Sequence, residues 1–460
     1  MQRLRGISQL GLVSLVYPGA THHRFEHSLG VYAHAEMLLS HLRRQEPFER
    51  LIGQDQSAVD AFRLAALVHD IGHQPFGHPI EDMGSLPGQK SMVRHEQRAE
   101  MILQSSSLTN AINQNWQCSI GDVMSILEPK THADRLGNGS TQLNRDQVSV
   151  LASCLSGPID IDKLDYLQRD SLHAGVPYGR NFDPARLIAS MRLHPTEPRL
   201  SLDVKGRTAA EMMVFGRYVM FSEVYWHHAV RSATAMLQRI VYELMSNNSE
   251  ADLCNQDIDS DFDTDGKSQK EPSSWCNQSD AVWTRSLIAA VKTDGRKPLI
   301  DLAERLFGPR RDLFKRLAEY NVLSVQHPGK DDEDVAINDE SLHRRLSRRP
   351  YWWLVALSRR VAVALSDRFD VSIDPMHVLI DAPPVKLEVD IDMDLVESSG
   401  RVISLGDLSP VASVLARQQF DQHVKRVRVF VPETVRDFVG NGIIDDLLHH
   451  AIDSVERDVT

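Results

Sequence analysis

Cysteine is scarce: Cys118, Cys154, Cys254 and Cys276 are the only four in 460 residues, and no two form a C-x-x-C pair. That argues against a disulfide scaffold or a thiolate metal cluster and leaves buried or inert thiols in a reducing compartment. Long hydrophobic runs are also missing. No stretch of about 18 uncharged apolar residues occurs, so no membrane span is expected. Met1-Gln2-Arg3-Leu4-Arg5 leads into a glycine-broken segment too polar for a signal-peptide core, and a cytoplasmic location is expected. Positive charge is in deficit, with 51 Lys and Arg against 63 Asp and Glu, a formal net charge of −12. That balance argues against non-specific nucleic-acid binding by the whole surface. About half of the excess is local, because eight acidic residues face only Lys267 and Lys270 between Ser246 and Cys276. The remainder is mildly acidic and can hold a basic pocket for phosphates.

What the chain does have is a dense patch of metal-friendly side chains, Ala65-Ala66-Leu67-Val68-His69-Asp70-Ile71-Gly72-His73-Gln74-Pro75-Phe76-Gly77-His78. An apolar run delivers a His-Asp pair, a glycine and two further histidines. Imidazole and carboxylate together suit a borderline or hard divalent cation. The plainer alternative is a helix C-terminus capped by Gly72, with cationic side chains near its dipole.

Taken in order, Leu10–Ala20 reads as a short strand or hairpin arm stopped by Pro18-Gly19. Thr21 stands as an N-cap for a helix over 25–42, with Phe25, Leu29, Tyr32, Ala35, Leu39 and Leu42 at helical spacing. His27, His34 and His41 recur every seven residues on one face of it. Helices are expected over 58–71 and 94–104, then shorter pieces to Asp146. On a helix through Asp162, the residues Lys163, Tyr166 and Asp170 line one side, while Leu164 and Leu167 turn into a core. Phe182-Asp183-Pro184 opens another helix, and Glu211–Met245 reads as one long helix. Residues 246–280 are polar and acidic and read as a disordered insertion or linker. Asp261-x-Asp263-x-Asp265-Gly266 starts like a calcium loop, but Pro272 stands where its glutamate belongs, so no calcium site is expected. Beyond, 283–306 and 342–368 read as helices, and His377–Asp381, Lys386–Ile391 and Val427–Val431 as strands. The basic clusters at Arg344-Arg345, Arg348-Arg349 and Lys425-Arg426 read as solvated faces. The expected fold is mainly α, with a helical bundle core over 1–245, the 246–280 insertion, and a smaller α+β region over 281–460.

His27, His69, Asp70 and Asp162 come from three separate helices, which is how metal sites in helical bundles are built. Two imidazoles and two carboxylates suit Fe, Mn, Zn or Co better than calcium. His73, His78 and His95 would then be free to move protons, and Arg24, Lys163 and Arg217 to neutralise phosphate. Phosphohydrolysis is the reaction class these groups fit best.

The motifs Arg24-Phe25-Glu26-His27-Ser28-Leu29-Gly30, His69-Asp70-Ile71-Gly72-His73-x-Pro75-Phe76-x-His78, His95-Glu96 and Ile161-Asp162-Lys163-x-Asp165-Tyr166-x-x-Arg169-Asp170 occur in this order. The set resembles the HD superfamily and, within it, the deoxynucleoside triphosphate triphosphohydrolases. That is the dGTPase-like branch that includes the SAM-and-HD-domain dNTPase of mammals, here with no SAM domain expected. The resemblance covers roughly 1–245 strongly and the rest loosely. It implies His27, His69, Asp70 and Asp162 as metal ligands, and His73, His78, His95 and the acidic Glu81 as catalytic-pocket residues. Arg24, Lys163 and Arg217 match phosphate contacts, and Tyr166 and Asp170 match contacts to the deoxyribose 3′-hydroxyl. Gln9 matches a further sugar contact, while Leu10 and Tyr225 fall where members leave no room for a 2′-hydroxyl. Gln2, Arg5, Arg186 and Lys205 match positions that contact a nucleotide effector. Phe221 stands where a substrate-lining histidine is common.

The implied reaction is hydrolysis of a deoxynucleoside triphosphate, dGTP or others, to deoxynucleoside and triphosphate. The implied cofactor is a transition metal, with Mg accompanying the substrate, and the implied assembly is a homodimer or homotetramer. Two alternatives stand beside it: an HD phosphohydrolase for nucleoside monophosphates or cyclic nucleotides, and a non-catalytic regulator that binds nucleotides or single-stranded nucleic acid.

Overall fold

Helix starts and stops follow local chemistry closely in the N-terminal half. Asp55 caps the Gln56–Val68 helix by accepting from the Ser57 and Ala58 amides. Asp160 caps Ile161–Ala174 through the Lys163 amide, and Gly175 ends that helix in the left-handed region, φ 71°. Asn144 and Gln147 form a capping box on Arg145–Ser156. The computed structural model describes residues 1–84, 95–132, 141–247, 278–321, 342–382, 391–416, 420, 424–439 and 443–459. Most of the acidic stretch, including the calcium-like segment, and most of the strand expected at Lys386–Ile391 lie outside them.

The architecture is mainly α with two small sheets. The Arg24–Leu42 helix packs on both Gln56–Val68 and Ile161–Ala174, and these three carry the bundle. Its buried stripe matches the apolar spacing at Ala35, Leu39 and Leu42 but departs from it in the first turns. Leu29 is 46% exposed, whereas Arg24, His27 and Ser28 are buried above Val31, Ala35, Leu38 and Leu42. The reason is close approach: a Cβ at Gly30 would fall on the Asp165 carboxylate and the Arg169 guanidinium, so this glycine lets the two helices touch there. The contact turns polar residues inward.

Several expected boundaries move. Leu10–Ala20 is no strand but a 3-10 turn over Gly11–Leu15, tied in by an isolated bridge between Ser8 and His23. Its Val13 and Leu12 are drawn into two different cores, which an extended arm would not allow. His23, not Thr21, precedes the first helical residue. The helix expected over 58–71 ends at Val68, leaving His69 and Asp70 on the following turn. The long helix expected over 211–245 is broken: Arg207–Met220 passes through a wide turn, Phe221–Tyr225, before His228–Asn247 begins. Gly295, with φ 76°, splits 283–306 into Asp280–Asp294 and Lys297–Phe307, and Pro350 separates Leu342–Ser347 from Tyr351–Phe369.

Strands β1 (Met191–Leu193), β2 (Leu200–Asp203), β3 (Lys315–Tyr320), β4 (Leu379–Asp381), β5 (Asp394–Val396), β6 (Val402–Ser404) and β7 (Val427–Val431) form two sheets, in the orders β1-β2-β5-β6 and β3-β7-β4. The β2–β5 pairing is parallel and joins the two halves of the chain. Packing follows it. The core around the bundle also contains Ile391, Met393, Leu395, Leu405, Phe420 and Val424. A second core centres on His228–Asn247 with Trp283, Leu287 and Leu299, and a third on Tyr351–Phe369, β7 and the helix Ile443–Val459. No helix among the described residues is long and apolar enough to cross a membrane.

Candidate functional site

The bundle brings His27, His69, Asp70 and Asp162 together at one point. His27 Nε2 lies 3.1 Å from His69 Nε2 and 3.0 Å from Asp162 Oδ1. His69 Nε2 is 3.7 Å from Asp162 Oδ1 and 3.6 Å from Asp70 Oδ1, and Asp70 Oδ2 is 3.9 Å from His27 Nε2. The far nitrogens are already used. His27 Nδ1 donates to Asp165 Oδ2 at 2.8 Å and His69 Nδ1 donates to the Ala66 carbonyl at 2.9 Å. In the neutral rings both Nε2 lone pairs therefore face each other, an arrangement that a cation between them relieves. Burial opposes a charge on His27, yet hydrogen bonds from Asp162 and Asp165 and the charges of Asp162 and Asp70 outweigh it, pushing its pKa up to about 10. The pocket asks for positive charge. The donor set fits a divalent transition metal, and HD domains bind divalent metals. His34 abuts Asp165 at 3.9 Å, and His41 reaches the Met191 carbonyl at 2.8 Å; neither joins the donor atoms.

Asp165 also takes two bonds from Arg169 at 2.8 Å. Burial raises its pKa, but Arg169 and His27 hold the carboxyl down to about 2. Arg24 Nη1 donates to Asp70 Oδ2 at 2.7 Å. Burial works against the Asp70 charge, and Arg24, His69 and His73 together hold it well below the usual carboxylate range.

A histidine cluster adjoins the donor set. His73 Nε2 is 3.3 Å from Asp70 Oδ1, and its ring stacks on His95 with centroids 4.0 Å apart. His95 Nδ1 meets Glu81 Oε2 at 3.1 Å. The two rings are driven apart electrically. Burial, then Arg24 and His95, push the His73 pKa well below its ordinary value. Burial also opposes charge on His95, but the Glu81 hydrogen bond and charge, with Glu96 and Asp70, raise it. The neutral form is thus favoured on His73 and the charged form on His95. His78 is more open, 61% exposed at its side chain, with Nδ1 3.9 Å from Glu81. Phe76 holds the turn before it in a left-handed conformation, φ 51°, and packs on Trp283.

The His73–His95 stack depends on Gly72, where a Cβ would strike the His95 carbonyl oxygen and the Ala99 amide. Gly72→Ala is expected to destabilise the fold by about 3 kcal/mol, the upper range for forced overpacking. A thermal melt against wild type checks this, and an unchanged melting temperature would show that the segment gives way freely.

A cavity of about 460 Å³ opens on these groups, lined by Gln9, Leu10, Arg24, Tyr166, Asp170 and Tyr225 as well as His27, Asp70, His78 and Asp162. Tyr225 donates to Asp170 Oδ2 at 2.7 Å. Gln9 Oε1, Arg24 Nε and Arg217 Nε are buried without hydrogen-bond partners. Arg217 is half-buried with its guanidinium 5.6 Å from the Phe221 ring. Phe221 also lines the cavity, as does Trp226. Lys163 departs from expectation: its Nζ turns back to the Gly157 carbonyl at 2.9 Å and to Asp160, away from Tyr166 and Asp170. The short first turn of the helix lets the ammonium reach its own N-cap. Among the expected effector residues, Gln2 accepts from Arg5 Nε at 2.7 Å and Arg5 stacks on Phe25. Arg186 lies on Pro184–Ser190, and Lys205 on the 3-10 turn Val204–Gly206. Arg231 and Asp82 line the cavity with Trp226, and His22 Nε2 lies 2.8 Å from Asp170 Oδ1; no motif singles out these four.

Comparison with known proteins agrees with this geometry. Residues 24–135 match the HD domain, and residues 182–288 match the HD associated region; the chain carries an HD domain. It is 32% identical over 249 residues to the uncharacterized protein YwfO of Bacillus subtilis, covering 54% of this chain and 51% of that one. It is 30% identical over 241 residues to the human deoxynucleoside triphosphate triphosphohydrolase SAMHD1, covering 49% of this chain and 38% of that one. The match spans about half or less of these relatives' own length. A solved structure of a hypothetical protein from Aquifex aeolicus superposes with a TM-score of 0.61 at 25% identity, over 95% of this chain and 92% of that one.

Proposed function

We propose that this HD-domain chain is a metal-dependent phosphohydrolase that cleaves deoxynucleoside triphosphates, dGTP among them, to deoxynucleoside and triphosphate. The observation that carries the reading is the cavity itself. The converging donors His27, Asp70 and Asp162 share its wall with Arg24 and with the Tyr166, Asp170 and Tyr225 side chains. The likeness to SAMHD1 supports the same substrate class.

His27, His69, Asp70 and Asp162 would hold the metal. When bound, it supplies Lewis acidity toward a phosphoryl oxygen and lowers the pKa of water. Arg24 presents a guanidinium at the same point and offsets phosphate charge. Hydrolysis at the α-phosphorus adds a hydroxyl to phosphorus and a proton to the departing 5′-oxygen. His95, whose pKa Glu81 raises, is the group suited to deliver that proton, while His73, whose pKa is pushed down, suits the accepting role beside Asp70. Lys163 is bonded to its own helix cap. At the other side, Asp170 accepts from a sugar hydroxyl, and Tyr225 with Leu10 crowds the space beside it.

The deciding measurement is product analysis with the four dNTPs in Mg, Mn, Fe and Co. Triphosphate release is expected. Orthophosphate from dAMP, with no attack on any dNTP, would select the monophosphate reading instead.

A further inference from the structure

Asp170, in the cavity wall, has both carboxylate oxygens engaged. Oδ2 accepts from the Tyr225 hydroxyl at 2.7 Å, and Oδ1 faces His22 Nε2 at 2.8 Å. His22 is buried behind the cavity and does not line it. Because an ionised carboxylate only accepts, His22 Nε2 carries the proton of this bond. Its other nitrogen, Nδ1, is buried with no hydrogen-bond partner.

The ring is fixed from behind. It stacks on His173 with centroids 4.2 Å apart and planes 15° from parallel. His173 Nε2 meets Glu26 at 3.3 Å, Glu26 accepts from Arg169 at 2.6 Å, and Arg169 grips Asp165, which holds His27. The anchoring of the metal-donor side and of the Asp170 side is therefore one continuous belt. A histidine whose only task was to fill space at its end has no use for a polar Nδ1 left unsatisfied. What the side chain does supply is one donor aimed at Asp170.

We propose that His22 is a positioning residue that sets the cavity's sugar selectivity, by holding Asp170 and, through it, the Tyr225 hydroxyl. This rests on the deoxynucleoside triphosphate reading above. With one oxygen tied by His22 and the other by Tyr225, the carboxylate cannot rotate. Its remaining lone pairs point in fixed directions, and the tyrosine ring is kept against the sugar space. Releasing Oδ1 frees both groups to swing, which weakens deoxyribose binding and admits a 2′-hydroxyl.

Two variants separate donor from filler. His22→Phe keeps the stack on His173 and removes the donor. His22→Gln keeps an N–H for Asp170 and gives up the stack. The readouts are KM and kcat for dGTP and GTP, with bound metal and melting temperature measured alongside. For His22→Phe, the dGTP KM is expected to rise about tenfold and the dGTP-over-GTP preference to fall about tenfold, the scale of one hydrogen bond to a charged group. Its kcat and metal content stay near wild type, and His22→Gln retains most of the preference. Should the phenyl variant fold poorly, His22→Asn, whose amide falls short of Asp170, gives the same comparison. Unchanged selectivity in His22→Phe, or an equal loss in both variants, overturns the inference alone. A wild-type protein that hydrolyses no dNTP overturns the substrate reading and the inference with it.

Discussion

Asp162→Ala is expected to strip the bound metal and to lower turnover by roughly 10³-fold or more, the rate equivalent of losing several kcal/mol of charge stabilisation. Asp162 supplies the carboxylate 3.0 Å from His27 Nε2 and is the donor that the third helix contributes. Without it, two imidazoles and Asp70 remain, and Asp70 is already engaged by Arg24 at 2.7 Å. The fold should survive the change. The helix is capped by Asp160, one turn is anchored by Leu164 and Leu167 in the core, and Asp162 itself is 31% exposed at its side chain. Metal analysis of the purified variant, triphosphate release and a thermal melt read the three consequences separately. A variant that keeps both its metal and its rate would remove Asp162 from the site.

His95→Gln should lower kcat by about 10² to 10⁴, the usual worth of a positioned general acid, with KM little altered. The pH profile carries the more specific test. Because Glu81 and its neighbours raise the His95 pKa, the acid form persists above the ordinary imidazole range, and activity falls only as pH rises through that raised value. Glu81→Gln removes the hydrogen-bonded charge at 3.1 Å. The His95 pKa then drops, and the alkaline limb of the kcat profile moves to lower pH. If the limb stays in place in Glu81→Gln, the group that titrates there is not His95.

These two sets of residues were legible in the sequence for different reasons. His69-Asp70 follows an apolar helix so closely that the chemistry is written in consecutive letters, and Asp162 sits in a charged helix of distinctive spacing. The bundle core was equally legible, since Leu164 and Leu167 are fully buried where the periodicity puts them. Other features depend on contacts that spacing does not encode. The inward turn of Arg24 and His27 needs Gly30 pressed on Asp165. The bend at Phe221–Tyr225 that presents Tyr225 and Trp226 carries no proline or glycine to announce it. Lys163 has the right spacing to face the cavity, yet a nearer carboxylate at Asp160 wins it. His22 was hidden for the opposite reason, lying two residues before Arg24 in a pair of histidines whose facing is decided by tertiary packing.

The parallel β2–β5 pairing carries a practical consequence for anyone trimming the gene. It looks natural to express the first 245 residues alone as a minimal catalytic fragment. Such a fragment would lose Met393, Leu395, Leu405 and Phe420 from the bundle's own core and would expose the outer edge of β2. The last of these, Phe420, packs edge-on against Phe221, 5.2 Å between ring centres, and Phe221 lines the cavity. Truncation would therefore unsettle the cavity wall as well as solubility. The later half of the chain serves as scaffolding for the earlier half, and only a protein retaining it is a fair subject for kinetics.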